Sequence, residues 1–121
     1  KEELNMATVI QNYHEKSVGA ASIAAHLEEA KWGDRFGMCG FAWVTAYPKF
    51  KGNTTLGKEE RRILESIGFS KDYTGKTYQI WNPSKHSTQN IDVKEAGAEA
   101  YVSKMNELGS GIKLATGSRL D

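Results

Sequence analysis

The chain has 121 residues, of which 39% are hydrophobic, and this is enough to form one domain with a core of its own. Its single cysteine, Cys39, excludes an intrachain disulfide and a metal site built from several cysteines, and it favours a reducing compartment. The net charge is only +1. No apolar run of 18 residues occurs, so no membrane span is expected, and the N-terminus lacks the apolar stretch of a signal peptide.

The first third of the chain has the periodicity of a helix. Apolar side chains recur at intervals of three and four residues over residues 4–13 and again over residues 23–30. Residues 17–19 interrupt the pattern, which leaves open whether one kinked helix or two helices form. Gly33 follows the last periodic residue and predicts the end of the helical part there.

Residues 41–47 alternate in a way that predicts a strand. Phe41, Trp43 and Tyr47 fall on one face, and the even-numbered positions carry small apolar residues on the other. Because both faces are apolar, we expect a central strand that is covered on both sides, with the rings in the core. The face of small residues suits the close approach of a helix.

The remaining elements follow from local signals. A short helix is predicted over residues 56–67, a turn over 70–76, and strands over 77–81 and 112–116. Asp92 and Glu95 have the spacing of a capping box, so the last helix is predicted to begin at Asp92. Its buried face is expected to include Ala98, Tyr101, Met105 and Leu108, and Gly109 is expected to end it.

The predicted class is therefore α+β, or a small α/β domain, with residues 1–121 in a single unit. A helical part, residues 1–33, precedes a core, residues 36–121, in which three strands alternate with helices in βαβαβ order and the helices pack on the sheet. Parallel and mixed strand pairing both stay open at this point.

Two patterns bear on catalysis and cofactors. Cys39 and His86 could form a nucleophile–base pair, which makes a small cysteine-dependent enzyme one alternative. Residues 52–58 have the spacing of a phosphate-binding loop, but Glu59 stands where that loop needs Ser or Thr. The three histidines lie on separate elements, so no metal site and no cofactor are predicted.

The middle of the chain combines cations with aromatic side chains. Residues 47–86 contain eight basic and four acidic side chains, and nine of the twelve aromatic residues lie within residues 36–81. Such surfaces bind single-stranded nucleic acid or proteins. The predicted contact residues share a position in loop-like or basic sequence, and they are Tyr47, Lys49, Phe50, Lys51, Arg61, Arg62 and Tyr73.

Residues 39–44, with the sequence CGFAWV, resemble a stretch found in small uncharacterised proteins of tailed bacteriophages. Further similar segments are Ile80 and Trp81, residues 94–98, and the SRLD end at residues 118–121. The resemblance implies a phage-encoded protein in the bacterial cytoplasm or in a virion, and it implies no catalytic residue. It draws attention to the chain end, where Gln89, Arg119 and Asp121 are expected to gather near the strand ends, held by ion pairs of Arg119 and Asp121.

The leading hypothesis from the sequence is a non-enzymatic binding module without a membrane partner. A host or virion protein is slightly favoured as its partner over nucleic acid, and a structural virion component is a further alternative. The sequence leaves the identity of the partner, the oligomeric state and the strand order open.

Overall fold

The computed structural model describes residues 5–33, 35 and 37–121. It contains three helices and four strands, which are in chain order α1 (Met6–Trp32), β1 (Gly40–Tyr47), α2 (Thr55–Ser66), β2 (Ser70–Lys71), β3 (Tyr78–Trp81), α3 (Ile91–Glu107) and β4 (Lys113–Leu120). The α+β class is thus confirmed. The sheet has four strands and not three, because residues 70–71, which were expected in a turn, pair with β3 as a short strand.

All strand pairs in the sheet are antiparallel, and the strand order is β2-β3-β1-β4. The prediction that β1 is central is correct, since β1 pairs with both β3 and β4. Trp43 lies opposite Trp81 on one side and opposite Gly117 on the other. From β1 onward, the β-α-β-β-α-β connectivity is the split arrangement of ferredoxin-like domains.

The core lies on one face of the sheet only. Ala42, Val44 and Ala46 of β1 are buried there in one cluster with Tyr78 of β3 and with residues from all three helices. The expected face of α3 is confirmed for Ala98, Tyr101 and Met105, which are fully buried, whereas Leu108 is half-buried at the C-cap. The prediction that β1 is covered on both sides is wrong, since the helices share a single side.

The N-terminal segment forms one continuous helix, which resolves the choice between one helix and two. Asn5 caps it by accepting a hydrogen bond from Thr8 N at 2.8 Å, and Gly33, with φ of 59°, ends it. Ser17 lies on the buried face in line with Ala21 and Ala25, and these small residues let α1 pack closely along α3. The apparent interruption is therefore a packing surface.

Two element boundaries differ from the prediction. The N-cap of α3 is Asn90 and not Asp92, because Asn90 Oδ1 accepts hydrogen bonds from Asp92 N at 2.8 Å and Val93 N at 3.3 Å. Strand β4 continues to Leu120, well past the predicted end at residue 116. None of the helices within the described residues combines the length and the apolar character needed to cross a membrane.

A buried hydrogen bond joins α1 to α3. His14 Nδ1 lies 2.7 Å from the Tyr101 hydroxyl, and both side chains are buried. Burial is the main cause that lowers the pKa of His14 below its ordinary value of 6.5; the charge of Lys85 acts in the same direction, and that of Glu15 opposes it. The folded protein therefore resists protonation of this ring more than the unfolded chain does.

This contact predicts a loss of stability in mild acid. Because the folded pKa of His14 is depressed, the unfolded chain binds a proton first, and the free energy of unfolding should fall as the pH drops below about 6.5. Urea denaturation at about pH 7.5 and about pH 5.5 measures this change. His14→Gln should reduce the pH dependence, because it removes the buried imidazole whose folded pKa is lowered. An unchanged pH dependence in His14→Gln would contradict the assignment.

Candidate functional site

The second face of the sheet carries the most distinctive side chains of the molecule. Strand alternation and the pairing registers place eleven residues there, which we call the open face: Phe41, Trp43, Thr45, Tyr47, Ser70, Gln79, Trp81, Lys113, Ala115, Gly117 and Arg119. Trp81 is 46% exposed and Tyr47 is 39% exposed. The three helices pack on the opposite face, so these side chains are directed away from the core.

Three rings of the open face form a contiguous aromatic cluster. The indoles of Trp43 and Trp81 are stacked, with centroids 4.6 Å apart and an interplanar angle of 26°. Phe41 meets Trp81 edge to face at 5.9 Å. Trp81 is held in place by its indole N–H, which donates to Gln79 Oε1 at 3.2 Å. The cluster gives the two central strands an apolar area on this face.

Gly117 makes room for the cluster. A Cβ atom at this position would lie 2.5 Å from Trp43 Nε1 and 2.5 Å from Trp43 Cε2, so the indole lies directly on the backbone of β4. Any larger residue at 117 would push Trp43 outward and disturb its stacking on Trp81. The glycine thus determines the position of the aromatic cluster.

Cations lie at both ends of the open face. The Arg119 guanidinium is 5.5 Å from the centre of the Phe41 ring, and Lys113 Nζ is 5.6 Å from the centre of the Tyr47 ring. Phe41 and Tyr47 are six residues apart on one strand, a distance of roughly 20 Å. None of the eleven open-face residues is acidic, so an anion that approaches the cluster meets only positive side chains on these strands.

The predicted contact residues lie on several elements. Tyr47 belongs to the open face, and Tyr73 is fully exposed in the turn between β2 and β3. Lys49 and Phe50 line a mostly apolar cavity of about 460 Å³ with Met6, Ile10 and residues of α2. The sequence segment therefore contributes residues to the open face, to the turn between β2 and β3 and to the wall of this cavity.

Two of the predicted contact residues have structural roles. Arg61 Nη1 donates to the carbonyl oxygens of Phe50, at 2.9 Å, and Gly57, at 3.0 Å, and so holds the loop after β1 on α2. Arg62 forms an ion pair with Glu59 one turn away. The backbone oxygen of Lys51 accepts a hydrogen bond from the Thr54 hydroxyl, and Lys51 is exposed.

Backbone hydrogen bonds place the residues of the expected strand-end cluster beside the start of β1. Asp121 N donates to Cys39 O at 3.0 Å, and Gly40 N donates to Gln89 O at 3.1 Å, so Gln89 and Asp121 flank the start of β1. Arg119 pairs with Phe41 in the adjacent register position. Within residues 5–33, 35 and 37–121, the expected ion pairs of Arg119 and Asp121 are not formed. Strand pairing holds the chain end instead.

Cys39 and His86 do not form a catalytic pair in the described structure. His86 Nδ1 accepts a hydrogen bond from Thr88 N at 3.2 Å, and His86 Nε2 faces Glu29 Oε1 at 3.0 Å. Both ring nitrogens are thus directed at groups other than the Cys39 thiol. Cys39 itself is exposed just before β1, and not buried as a lone cysteine usually is.

This arrangement predicts how Cys39 reacts. Iodoacetamide should modify the thiol in the folded protein, because the side chain is exposed, and mass spectrometry follows the rate. His86→Ala should leave that rate unchanged, since the ring does not contact the thiol. A marked slowing in His86→Ala would restore the enzymatic alternative.

Sequence reasoning placed Phe41, Trp43 and Trp81 in the core and missed the open face. A usable signal was present in β4. Lys113, Ala115, Gly117 and Arg119 are two residues apart from one another and so lie on the same face of the strand. Had β4 been aligned beside β1, this alternation of charged and small residues would have indicated a face without a helical cover.

Fold and site together define a small antiparallel α+β domain with an aromatic, cation-flanked sheet face. Comparison with known proteins identified no relative. No family model, no curated protein and no solved structure matches the chain. The functional argument therefore depends on the geometry of the open face.

Proposed function

We propose that this chain is a non-enzymatic binding domain that takes single-stranded nucleic acid on its open face. The observation that carries the proposal is the aromatic cluster of the half-buried Phe41 and Trp43 with the exposed Trp81, which lies between two cations on one sheet face. Exposed rings on a four-stranded sheet stack on unpaired bases, and neighbouring cations contact phosphates.

The charge on the open face favours nucleic acid over the protein partner that the sequence alone slightly favoured. A protein interface of this kind would be apolar at its centre with mixed charges at its rim. Here the open-face positions carry Lys113 and Arg119 and no carboxylate, which matches a polyanion. A host or virion protein as the partner and a phage origin stay predictions from the resemblance. No residue of the structure adds support to them.

Fluorescence anisotropy with labelled single-stranded DNA, single-stranded RNA and duplex DNA tests the proposal. We expect the single strands to bind better than the duplex, and binding to weaken between about 50 mM and about 200 mM salt. If Lys113 and Arg119 each contact one phosphate, they contribute about −1.4 together to the slope of log K against log salt.

Matched double variants locate the site. Lys113→Ala with Arg119→Ala should lower the affinity and flatten the salt dependence. Lys58→Ala with Arg62→Ala also removes one lysine and one arginine, but from α2. This variant should leave the affinity and its salt dependence nearly unchanged. The absence of binding at the lower salt concentration would exclude nucleic acid, and native mass measurement with pull-down from a bacterial lysate would then address a protein partner.

A further inference from the structure

A second cluster of functional side chains lies away from the open face. His26 and Glu29 are three residues apart on α1 and so lie on the same side of the helix, and His86 reaches them from the loop at residues 82–90. The ligand atoms of these three side chains all lie within 4.8 Å of one another. The two imidazole rings meet edge to face, with centroids 4.8 Å apart.

The His86 ring is directed into this cluster with an unsatisfied nitrogen. Its side chain is only 9% exposed, and Nε2 lies 3.0 Å from Glu29 Oε1. The contact does not have the direction of a hydrogen bond, so the buried Nε2 has no hydrogen-bond partner among the described residues. Buried polar atoms nearly always have a partner. An unpaired nitrogen that faces a carboxylate and a second imidazole is suited to bind an ion held between these three side chains.

We propose that His26, Glu29 and His86 bind one divalent transition-metal ion, with Zn²⁺ as the preferred occupant. Two imidazole nitrogens and one carboxylate oxygen suit Zn²⁺, whereas Mg²⁺ and Ca²⁺ prefer sites built from oxygen alone. Three protein ligands leave a fourth tetrahedral position for water. The site would connect α1 to the loop between β3 and α3.

Binding requires the side chains of His26 and Glu29 to move toward His86, and the site permits these movements. Bonds of about 2.0–2.2 Å bring neighbouring tetrahedral ligand atoms to roughly 3.4 Å from one another. His26 is exposed and Glu29 is half-exposed, so both side chains can rotate toward the better-fixed His86 ring.

Metal binding would also break one hydrogen bond within the loop at residues 82–90. At present Thr88 N–H donates to His86 Nδ1, which assigns the ring proton to Nε2. Coordination through Nε2 moves the proton to Nδ1, so the Thr88 N–H must turn away from the ring. The amide resonance of Thr88 is therefore a reporter that is independent of any activity.

Calorimetric titration of the full chain with zinc chloride tests the site. The Cys39→Ser background removes the exposed thiol as a competing ligand, and prior treatment with a chelator removes adventitious metal. We expect one ion per chain and a shift of the Thr88 amide resonance. His26→Asn and Glu29→Gln should each weaken binding by about tenfold or more, at least the loss typical of an outer-shell change.

Glu28→Gln is the matched control, because Glu28 is the neighbouring carboxylate on α1 and lies outside the cluster. It should bind zinc as the parent does, and magnesium chloride should give no heat of binding. Absence of zinc binding at about 100 µM, or equal affinity in His26→Asn and the parent, would overturn the proposal. Neither outcome depends on whether the open face binds nucleic acid.

Discussion

Replacing Trp81 with alanine is expected to weaken the binding of a single-stranded oligonucleotide by about 1–3 kcal/mol, the usual cost of removing one stacking ring. This corresponds to a loss of affinity of roughly 5- to 150-fold. Trp81 is the most exposed ring of the aromatic cluster, and it stacks on Trp43. Its removal deletes a stacking surface and leaves the buried face of the sheet intact.

Tyr73→Ala is the control for this experiment. Tyr73 is fully exposed, but it lies in the turn between β2 and β3 and not on the open face, so its loss should leave the affinity unchanged. Thermal unfolding of both variants checks that each one folds. Equal affinities of Trp81→Ala and the parent, or an equal loss in Tyr73→Ala, would show that the cluster is not the binding site.

Gly57→Ala is expected to destabilise the fold by about 1–3 kcal/mol, the usual cost of overpacking, although alanine is the better helix former. Gly57 is buried in the first turn of α2. A Cβ atom there would overlap the backbone oxygen of Lys51 and would lie 2.7 Å from the Lys51 carbonyl carbon. Since that neighbour is backbone and not a flexible side chain, the loop after β1 must move.

Gly19→Ala provides the opposite expectation within the same protein. Gly19 lies in the interior of α1, and outside its chain neighbours and the adjacent helix backbone no atom lies within 4 Å of the added Cβ. Helix propensity alone should therefore stabilise the protein by about 0.5–1 kcal/mol. Urea denaturation of the two variants measures both effects. A Gly57→Ala variant as stable as the parent would mean that the loop after β1 yields without cost.

The local elements could be predicted because their signals are periodic along the chain. The stripes over residues 4–30 gave the N-terminal helix, and the alternation over residues 41–47 gave the central strand. The buried face of α3 at Ala98, Tyr101 and Met105 was also correct. Strand β2 was missed, because a strand of two residues is too short to show an alternating pattern. The prediction of Asp92 as the N-cap was wrong, because Asn90 accepts the hydrogen bond from the first turn of α3.

The sites were harder to predict, because each one depends on residues that are distant in the chain. The rings of Phe41, Trp43 and Trp81 look like core residues in any local window. Only the placement of all three helices on the other side of the sheet exposes them. Likewise, His26 and His86 are 60 residues apart, so no motif spacing links them in the sequence. The packing of the loop at residues 82–90 against α1 brings them together.

The sequence by itself determined the α+β class, the identity of the central strand and the separation of large rings from small residues on its two faces. These features follow from side-chain periodicity, which the backbone geometry of helices and strands imposes locally. The tertiary structure alone decided the antiparallel strand order, the uncovered aromatic face and the histidine cluster. They depend on long-range pairing and helix packing, for which a short stretch of sequence holds no periodic signal.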